Sequence, residues 1–200
     1  RHALLQFDLL HDVSRFAVVD VETSGLSDRR HRILQLGAVI IEADGTVIDQ
    51  WSTLVRLRWP LQSVGPTHIH GLTRPMLRGA PRLSKALDQL TPLLDGAIFT
   101  AHNAQFDAGF IVRATHRRAG FELGPQLCTL RMSRQLDPDR QMSHRLVDVA
   151  ERYGVDLTAP HDALADAAAT AAVLPHLLAA HHIVEPEQLA PFFVGSKRPQ

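Results

Sequence analysis

The sequence predicts an α/β fold in layers, in which a mixed five-stranded β-sheet is flanked by helices. Two observations predict this fold. The first part of the chain has strand-like segments joined by short links, which are typical of an antiparallel meander. The part that follows alternates strand-like segments with segments whose apolar residues recur at helical spacing, so the later strands are expected to be separated by helices.

The predicted strands are apolar runs that end at turn residues. An Asp-Gly turn within EADG, at 42–45, is expected to join the second strand to the third. The runs are FAVVDV (16–21), RILQLGAVII (32–41), TVIDQWSTLV (46–55), AIFTAH (97–102) and PQLCTL (125–130).

The predicted helices follow from apolar residues at helical spacing. Gly120 is expected to end one of them, Pro92 to shorten or kink another, and Pro175 to interrupt the last. A stretch rich in proline and glycine, 58–81, predicts a loop with short helical turns. The helices are predicted over 3–11, 82–94, 104–120, 129–136, 143–153 and 162–182.

Length and composition fit one domain with a substantial core. The chain has 200 residues, 45% of them hydrophobic and 21% charged. We expect a cytoplasmic protein without a membrane partner, because no apolar run approaches the roughly 18 residues that cross a bilayer and no signal peptide is recognisable. The single cysteine, Cys128, excludes an internal disulfide and argues against a structural zinc site.

The net charge limits how the protein can bind nucleic acid. Its 21 basic and 21 acidic residues balance to zero, which is unusual for a protein that holds a long polyanion by its phosphates alone. We therefore expect a small cleft that takes few phosphates, or another subunit that holds the nucleic acid.

Two acids stand one residue apart at the end of the first predicted strand. In VVDVETSGL, residues 18–26, Asp20 and Glu22 project from the same face, about 7 Å apart. Two carboxylates so close repel each other, and partial burial would protonate one of them unless a cation lay between them. The pair therefore indicates a metal site.

Two further acids occur in apolar helical segments, where isolated charges cost free energy. Asp107 lies in HNAQFDAGF and Asp166 in HDALADAAATAA, whose Asp162 is expected to cap the helix. Four converging carboxylates can balance two divalent cations, and oxygen ligands favour Mg²⁺ or Mn²⁺. Two such metals are suited to phosphodiester hydrolysis, and His161 is a loop histidine suited to accept the proton of the attacking water.

These segments resemble the motifs of the DEDDh family of 3′–5′ exonucleases, which includes the proofreading subunit of bacterial replicative DNA polymerase, ribonuclease T and oligoribonuclease. VVDVETSGL is similar to the first motif, HNAQFD to the second and HDALADA to the third. Weaker matches are RILQLGAV, THIHGLT (67–73) and MSHRLVDVAERYGVDL (142–157). The resemblance covers about residues 15–180 and implies a ribonuclease H-like three-layer fold, with an exonuclease domain over 1–182 and a tail over 183–200.

The resemblance also implies roles for single residues. It makes Asp20, Glu22, Asp107 and Asp166 the ligands of two divalent cations, Mg²⁺ or Mn²⁺, and His161 the general base. Gln35 stands where the family commonly has glutamate, so a contact with substrate or behind the ligands is expected to differ. The pocket for the terminal nucleotide would be lined by Thr23, Gly25, Leu26, His102, Asn103 and Phe106, although Phe106 also suits the core and Asn103 a helix cap.

The implied function is a metal-dependent 3′–5′ exonuclease that releases nucleoside monophosphates from DNA in proofreading or repair. Its expected partners are a single-stranded or frayed 3′ end of DNA and a DNA polymerase or sliding clamp. Three alternatives stay open: an exoribonuclease that trims short RNA, a catalytically silent module that docks on a polymerase, and an endonuclease of the ribonuclease H type. In the tail, the apolar residues of EQLAPFFV either pack on the domain or form a docking peptide.

Overall fold

The computed structural model describes residues 15–59, 61–116, 121–157 and 159–195. The helix predicted over 3–11 and the helix end predicted at Gly120 lie outside these residues.

Six strands form one mixed sheet, in the spatial order β3-β2-β1-β4-β5-β6. The first three strands are antiparallel, β4 and β5 run parallel to β1, and β6 pairs antiparallel with β5 at the edge. The mixed sheet is confirmed, but the count of five strands is wrong, because the sixth lies in the segment predicted as a tail. The strands are β1 (Arg15–Thr23), β2 (Ile33–Glu42), β3 (Val47–Leu54), β4 (Ile98–Ala101), β5 (Gln126–Cys128) and β6 (Phe193–Val194).

Helices cover both faces of the sheet. In the described residues they are α1 (Thr67–His70), α2 (Arg74–Leu77), α3 (Leu83–Leu94), α4 (Ala104–Thr115), α5 (Thr129–Gln135), α6 (Leu146–Arg152), α7 (Ala163–Ala180) and a 3₁₀ helix (Pro186–Phe192). Apolar residues of α3 and α4 form one core with the sheet, and those of α5, α6 and α7 form a second core on the opposite face. This is the predicted three-layer arrangement.

Neither proline ends its helix where an interruption or shortening is predicted. Helix α3 continues through Pro92 to Leu94, and α7 continues through Pro175 to Ala180. Val173 and Leu174, just before the second proline, are fully buried against the sheet. Packing of this kind offsets the hydrogen bond that proline removes from a helix.

Helix α7 is long and apolar enough, by length and composition alone, to cross a membrane. The expectation that no apolar run approaches this length is therefore wrong for α7, whose many alanines raise its hydropathy. Half of the helix is buried inside the protein and it forms part of the core, as core helices of this length commonly do.

Residues 186–194, within the predicted tail, pack on the domain. Leu189 and Phe192 are buried in the core formed with α7, and the ring of Phe192 lies 4.5 Å from that of His181. Strand β6 pairs with Gln126 and Leu127 of β5. Of the two alternatives for these apolar residues, the structure shows packing on the domain.

Strand β1 continues well beyond its parallel neighbour. It pairs with β4 only over 16–18, whereas it pairs with β2 along its whole length to Thr23. The register with β2 shifts between Glu22 and Thr23, a bulge of the kind that often lies beside active sites. The last residues of β1 therefore border an opening between the two halves of the sheet.

Candidate active site

The two acids of β1 face the side of the sheet that carries α7. Val19 and Val21 pack in the core with α3 and α4, so by strand alternation Asp20 and Glu22 point to the opposite face. The residue across from Asp20 on β2 is Gly37, and a Cβ atom there would lie 2.2 Å from the backbone oxygen of Ala163 in α7. This glycine lets the start of α7 come close to the two acids.

Asp107 lies in the first turn of α4 and is only 4% exposed. Its Oδ1 accepts a hydrogen bond of 3.2 Å from the backbone N–H of Val21, where β1 has already passed the end of its pairing with β4. The carboxylate thus takes the position that a neighbouring strand would occupy and is fixed beside the acids of β1.

Asp166 lies in the first turn of α7, and His161 lies two residues before this helix. Asp162 caps this helix by accepting hydrogen bonds from the N–H groups of Leu164 and Ala165, as predicted. His161 has a left-handed backbone (φ 68°), and its N–H donates to Oδ2 of Asp166 at 3.1 Å. One ring nitrogen of His161 and one carboxylate oxygen each of Glu22 and Asp166 all lie within 4.8 Å of one another.

The electrostatics of this cluster favour protons or cations. Burial, followed by the charges of Asp107 and Asp166, raises the pKa of Asp20 well above its ordinary value. Burial and then the Asp166 charge raise the pKa of Glu22 to about 8. Burial also raises the pKa of Asp107 to about 7, against the lowering effect of the Val21 N–H.

The residues present fit a divalent cation. Oδ1 of Asp166 is buried and has no hydrogen-bond partner, which is costly unless a cation or water binds there. Burial also raises the pKa of this carboxyl, although the N–H of His161 opposes the shift. Carboxylate oxygens are the ligands that Mg²⁺ and Mn²⁺ prefer.

The loop after β1 presents an apolar side chain to solvent. The hydroxyl of Thr23 donates to the carbonyl of Gly25 at 2.8 Å, and the N–H of Ser27 donates to Nδ1 of His31 at 3.0 Å. A Cβ atom on Gly25 would lie 2.5 Å from the His31 ring, so this position requires glycine. Leu26, at the tip, is 87% exposed.

The other residues predicted for the nucleotide pocket differ in what they contact. Both ring nitrogens of His102 bond within the protein, Nδ1 with Oγ1 of Thr129 at 3.0 Å and Nε2 with the carbonyl of His144 at 2.8 Å. Phe106 packs partly on the core, with its ring 5.1 Å from that of Phe110. Asn103 is exposed at the start of α4 and makes no capping bond with its side chain, so its amide can face a substrate.

Sequence reasoning missed a polar network behind His102. Nδ1 of His144 pairs with the hydroxyl of Ser133 at 2.8 Å, and its Nε2 pairs with Oδ2 of Asp137 at 3.1 Å. Asp137 also accepts from the N–H groups of Gln141 and Met142. The turn sequence DPDR and the histidine of SHRL were the available signals, but neither indicates its partner.

A cavity of about 290 Å³ on the surface lies elsewhere. It is lined by Val147, Glu151, Gly154, Val155, Asp156 and Leu157, and none of the predicted site residues borders it. The carboxylate cluster, rather than this cavity, is therefore the candidate active site.

The family comparison matches most of the chain. A family model described as an exonuclease of the ribonuclease T type matches residues 17–174.

Curated relatives of high similarity are DNA polymerases. The chain is 35% identical over 164 residues to a PolC-type DNA polymerase III from Lacticaseibacillus paracasei, and the match covers 80% of the chain and 11% of the polymerase. It is 37% identical over 162 residues to the corresponding polymerase from Staphylococcus haemolyticus, with coverage of 78% and 11%. The chain therefore spans about a tenth of the length of these relatives.

Solved structures with the same fold are nucleases. Exonuclease X in complex with 5′ overhanging duplex DNA is 24% identical, with a TM-score of 0.66 over 89% of this chain and 98% of that one. Escherichia coli exonuclease I with a dT13 oligonucleotide is 20% identical, with a TM-score of 0.71 over 82% and 41%. The nuclease domain of 3′hExo, bound to rAMP, is 14% identical, with a TM-score of 0.71 over 85% and 94%.

Proposed function

Because this chain belongs to the DEDDh family of 3′–5′ exonucleases, we propose that it removes nucleoside monophosphates from 3′ ends of DNA by a two-metal mechanism. The supporting observation is that carboxylates from β1, α4 and α7 lie close enough to raise one another's pKa values, and that Oδ1 of Asp166 is buried among them without a partner. An alternative substrate is short RNA, since the fold is also that of a nuclease domain solved with rAMP.

In this mechanism Asp20, Glu22, Asp107 and Asp166 hold two divalent cations, Mg²⁺ or Mn²⁺. When bound, these cations lower the pKa of the attacking water and stabilise charge on the scissile phosphate. Asp107 supplies its oxygens from a fixed position, because one of them is already bonded to the N–H of Val21.

His161 is the general base in this proposal. Its side chain is exposed, so a proton taken from the attacking water can pass on to solvent. The bond from its own N–H to Asp166 keeps the backbone of the base beside one of the metal ligands.

For the 3′ terminus we propose contacts with Thr23, Gly25, Leu26, Asn103 and Phe106, with His102 behind them. Leu26 stacks on the terminal base, because its exposed side chain has no packing role within the described residues. The hydroxyl of Thr23 is bonded to Gly25, so the backbone of this turn is better placed than that hydroxyl to meet the sugar.

DNA is the favoured substrate because the two relatives named above, at 35% and 37% identity, are DNA polymerases. Proofreading beside a polymerase or sliding clamp, in the cytoplasm, fits those relatives. An exonuclease domain over 1–182 also remains part of the proposal, with 186–194 packed on it.

The test uses 5′-labelled single-stranded DNA, a primer with a 3′ mismatch, short RNA and circular DNA, each with Mg²⁺ or Mn²⁺. We expect stepwise shortening from the 3′ end, faster on DNA than on RNA, and no cutting of the circle. Faster digestion of RNA would support the exoribonuclease alternative, and cutting of the circle would support the endonuclease. A folded protein that digests nothing would instead be a docking module.

A further inference from the structure

We infer that Gln35 of β2 positions the active site, because its hydrogen-bonded pair with Asp162 seats the start of α7 and thereby places His161 and Asp166. This inference rests on the function proposed above for the same site. Gln35 contacts neither residue itself and is therefore a positioning residue.

The Gln35 side chain connects two elements that are far apart in sequence. It is 7% exposed, and its Nε2 donates to Oδ2 of Asp162 at 2.8 Å. Its Oε1 accepts from the N–H of Ala163, the first residue of α7, at 3.4 Å. One buried amide thus holds both the cap of the helix and the first N–H behind it.

The side chains of Gln35 and Asp162 together accept hydrogen bonds from the first N–H groups of α7. Oδ1 of Asp162 accepts from the N–H groups of Leu164 and Ala165, each at 3.1 Å. With Ala163 bonded to Gln35, every N–H of the first turn before Asp166 has a side-chain partner. Asp162 therefore cannot shift without breaking bonds on both sides.

The same face of β2 holds α7 at a second point. Gly37, two residues after Gln35, is in close contact with the backbone of Ala163. Gln35 lies directly across from Glu22, and Gly37 lies directly across from Asp20. The pairing of β1 with β2 therefore places both the acids of β1 and the residues that hold the start of α7. It fixes the distance between these acids and the helix.

The position of His161 depends on these contacts between β2 and the start of α7. Its left-handed backbone immediately precedes Asp162, and its N–H reaches Asp166 one turn into the helix. A displacement of the cap would move the base and the carboxylate together relative to Glu22. Misplacement by about 1 Å in an active site can lower the rate about 100-fold.

The chemical identity of the pair matters as well as its shape. Gln35 offers an amide donor to a carboxylate, whereas a second carboxylate at this position would face the one of Asp162 at hydrogen-bond distance. The pair should tolerate an exchange of its members, because an amide on α7 could donate to a carboxylate on β2. That exchange conserves the net charge and both kinds of bond.

The test compares Q35E, D162N and the double variant Q35E/D162N with the wild-type chain. We expect kcat to fall about 100-fold in Q35E and about 10-fold in D162N, with KM within about 3-fold, and to return to within about 3-fold of wild type in the double variant. Q50E is the matched control, since Gln50 is exposed on β3, and it should leave kcat unchanged.

Two further readouts separate positioning from simple stabilisation. Mn²⁺ binding without substrate, followed by calorimetry, should weaken in Q35E and recover in the double variant, at a temperature where every variant is folded. If Q35E does not fold, Q35L replaces it, because it removes both hydrogen bonds without adding a charge.

The inference is overturned if Q35E or Q35L keeps wild-type kcat and Mn²⁺ affinity, or if the double variant is no better than Q35E. A lower Tm with unchanged kcat and Mn²⁺ affinity would likewise leave Gln35 as a helix cap only. A wild-type chain that digests no nucleic acid would refute the proposed function, whereas the Mn²⁺ measurements would still decide the role of the pair.

Discussion

The two helices that bring carboxylates to β1 are anchored differently. Asp107 of α4 is buried and accepts directly from a backbone N–H of the strand, so its place is set by the main chain. Asp166 of α7 and His161, which precedes this helix, are more exposed, and their positions depend on the side chains of Asp162 and Gln35. One half of the site, Asp107, is therefore fixed by the backbone of the sheet. The position of the other half, Asp166 and His161, can be adjusted by substituting the side chains that support it.

Substitution of the fixed half should have the largest effect on activity. In D107N the side chain can still accept from the N–H of Val21 but loses the negative charge that would hold a cation. We expect kcat to fall by about 1,000-fold or more, while the metal-free protein becomes no less stable, since a buried charge is removed. Oligonucleotide digestion and thermal unfolding measure the two effects. A variant with wild-type kcat would show that Asp107 is structural only.

Substitution of the base tests the adjustable half. H161G should lower kcat by about 100-fold or more, because general-base catalysis is lost. The same change should stabilise the protein by up to about 1 kcal/mol, because glycine adopts the left-handed backbone of this position without strain. H161A tests the second effect, since it removes the imidazole but keeps a Cβ atom. Equal free energies of unfolding for H161G and H161A would show that the left-handed backbone at this position does not destabilise the protein.

The metal-free protein should become less stable as the pH rises. The pKa values of Glu22 and Asp107 are raised from 4.5 and 3.8 to about 8 and about 7. Between these pKa values the folded state thus binds more protons than the unfolded state. The stabilisation that these two groups contribute is therefore complete below about pH 4, and it is lost as the pH rises to about 8.

Divalent cations should oppose this loss, because they replace the protons. We expect Mn²⁺ to raise the Tm more at pH 8 than at pH 6, and D107N to reduce the difference. A Tm increment that is independent of pH would show that the carboxylates do not exchange protons for metal.

The smallest effect on stability is expected at the loop that follows β1. Leu26 is 87% exposed, so L26A should change the free energy of unfolding by less than about 0.5 kcal/mol. If it stacks on the terminal base, KM for a 3′-ended oligonucleotide should rise about 10-fold. L61A, at another highly exposed leucine, is the control. An unchanged KM for L26A would remove this residue from the pocket.

The sequence predicted what depends on neighbours along the chain. The first five strands and the helices over α3 to α7 follow from local periodicity, and the cap at Asp162 follows from the start of an apolar helical run. The continuation of α7 through Pro175 was missed, because packing on the sheet overrides the local preference of proline.

Contacts between distant segments were not predictable in the same way. Strand β6 has two residues and exists only through its pairing with β5. The bond between Gln35 and Asp162 joins residues 127 positions apart, and the partners of His144 depend on how the turn at Asp137 folds back. Sequence motifs thus indicated the four carboxylates and His161, whereas the side chains that hold them in place are brought together only by the folded chain.

The strand directions have a practical consequence for attaching this domain to a surface or a label. Arg15 begins β1, and Val194, at the end of β6, pairs with the first residue of β5, so both lie at the same end of the sheet. Glu22 lies six residues further along β1 than Phe16, or about 20 Å away. A tether or dye attached to Arg15 or Val194 would therefore lie at the end of the sheet opposite the acids. It would leave the acids accessible to a nucleic acid strand in a single-molecule recording.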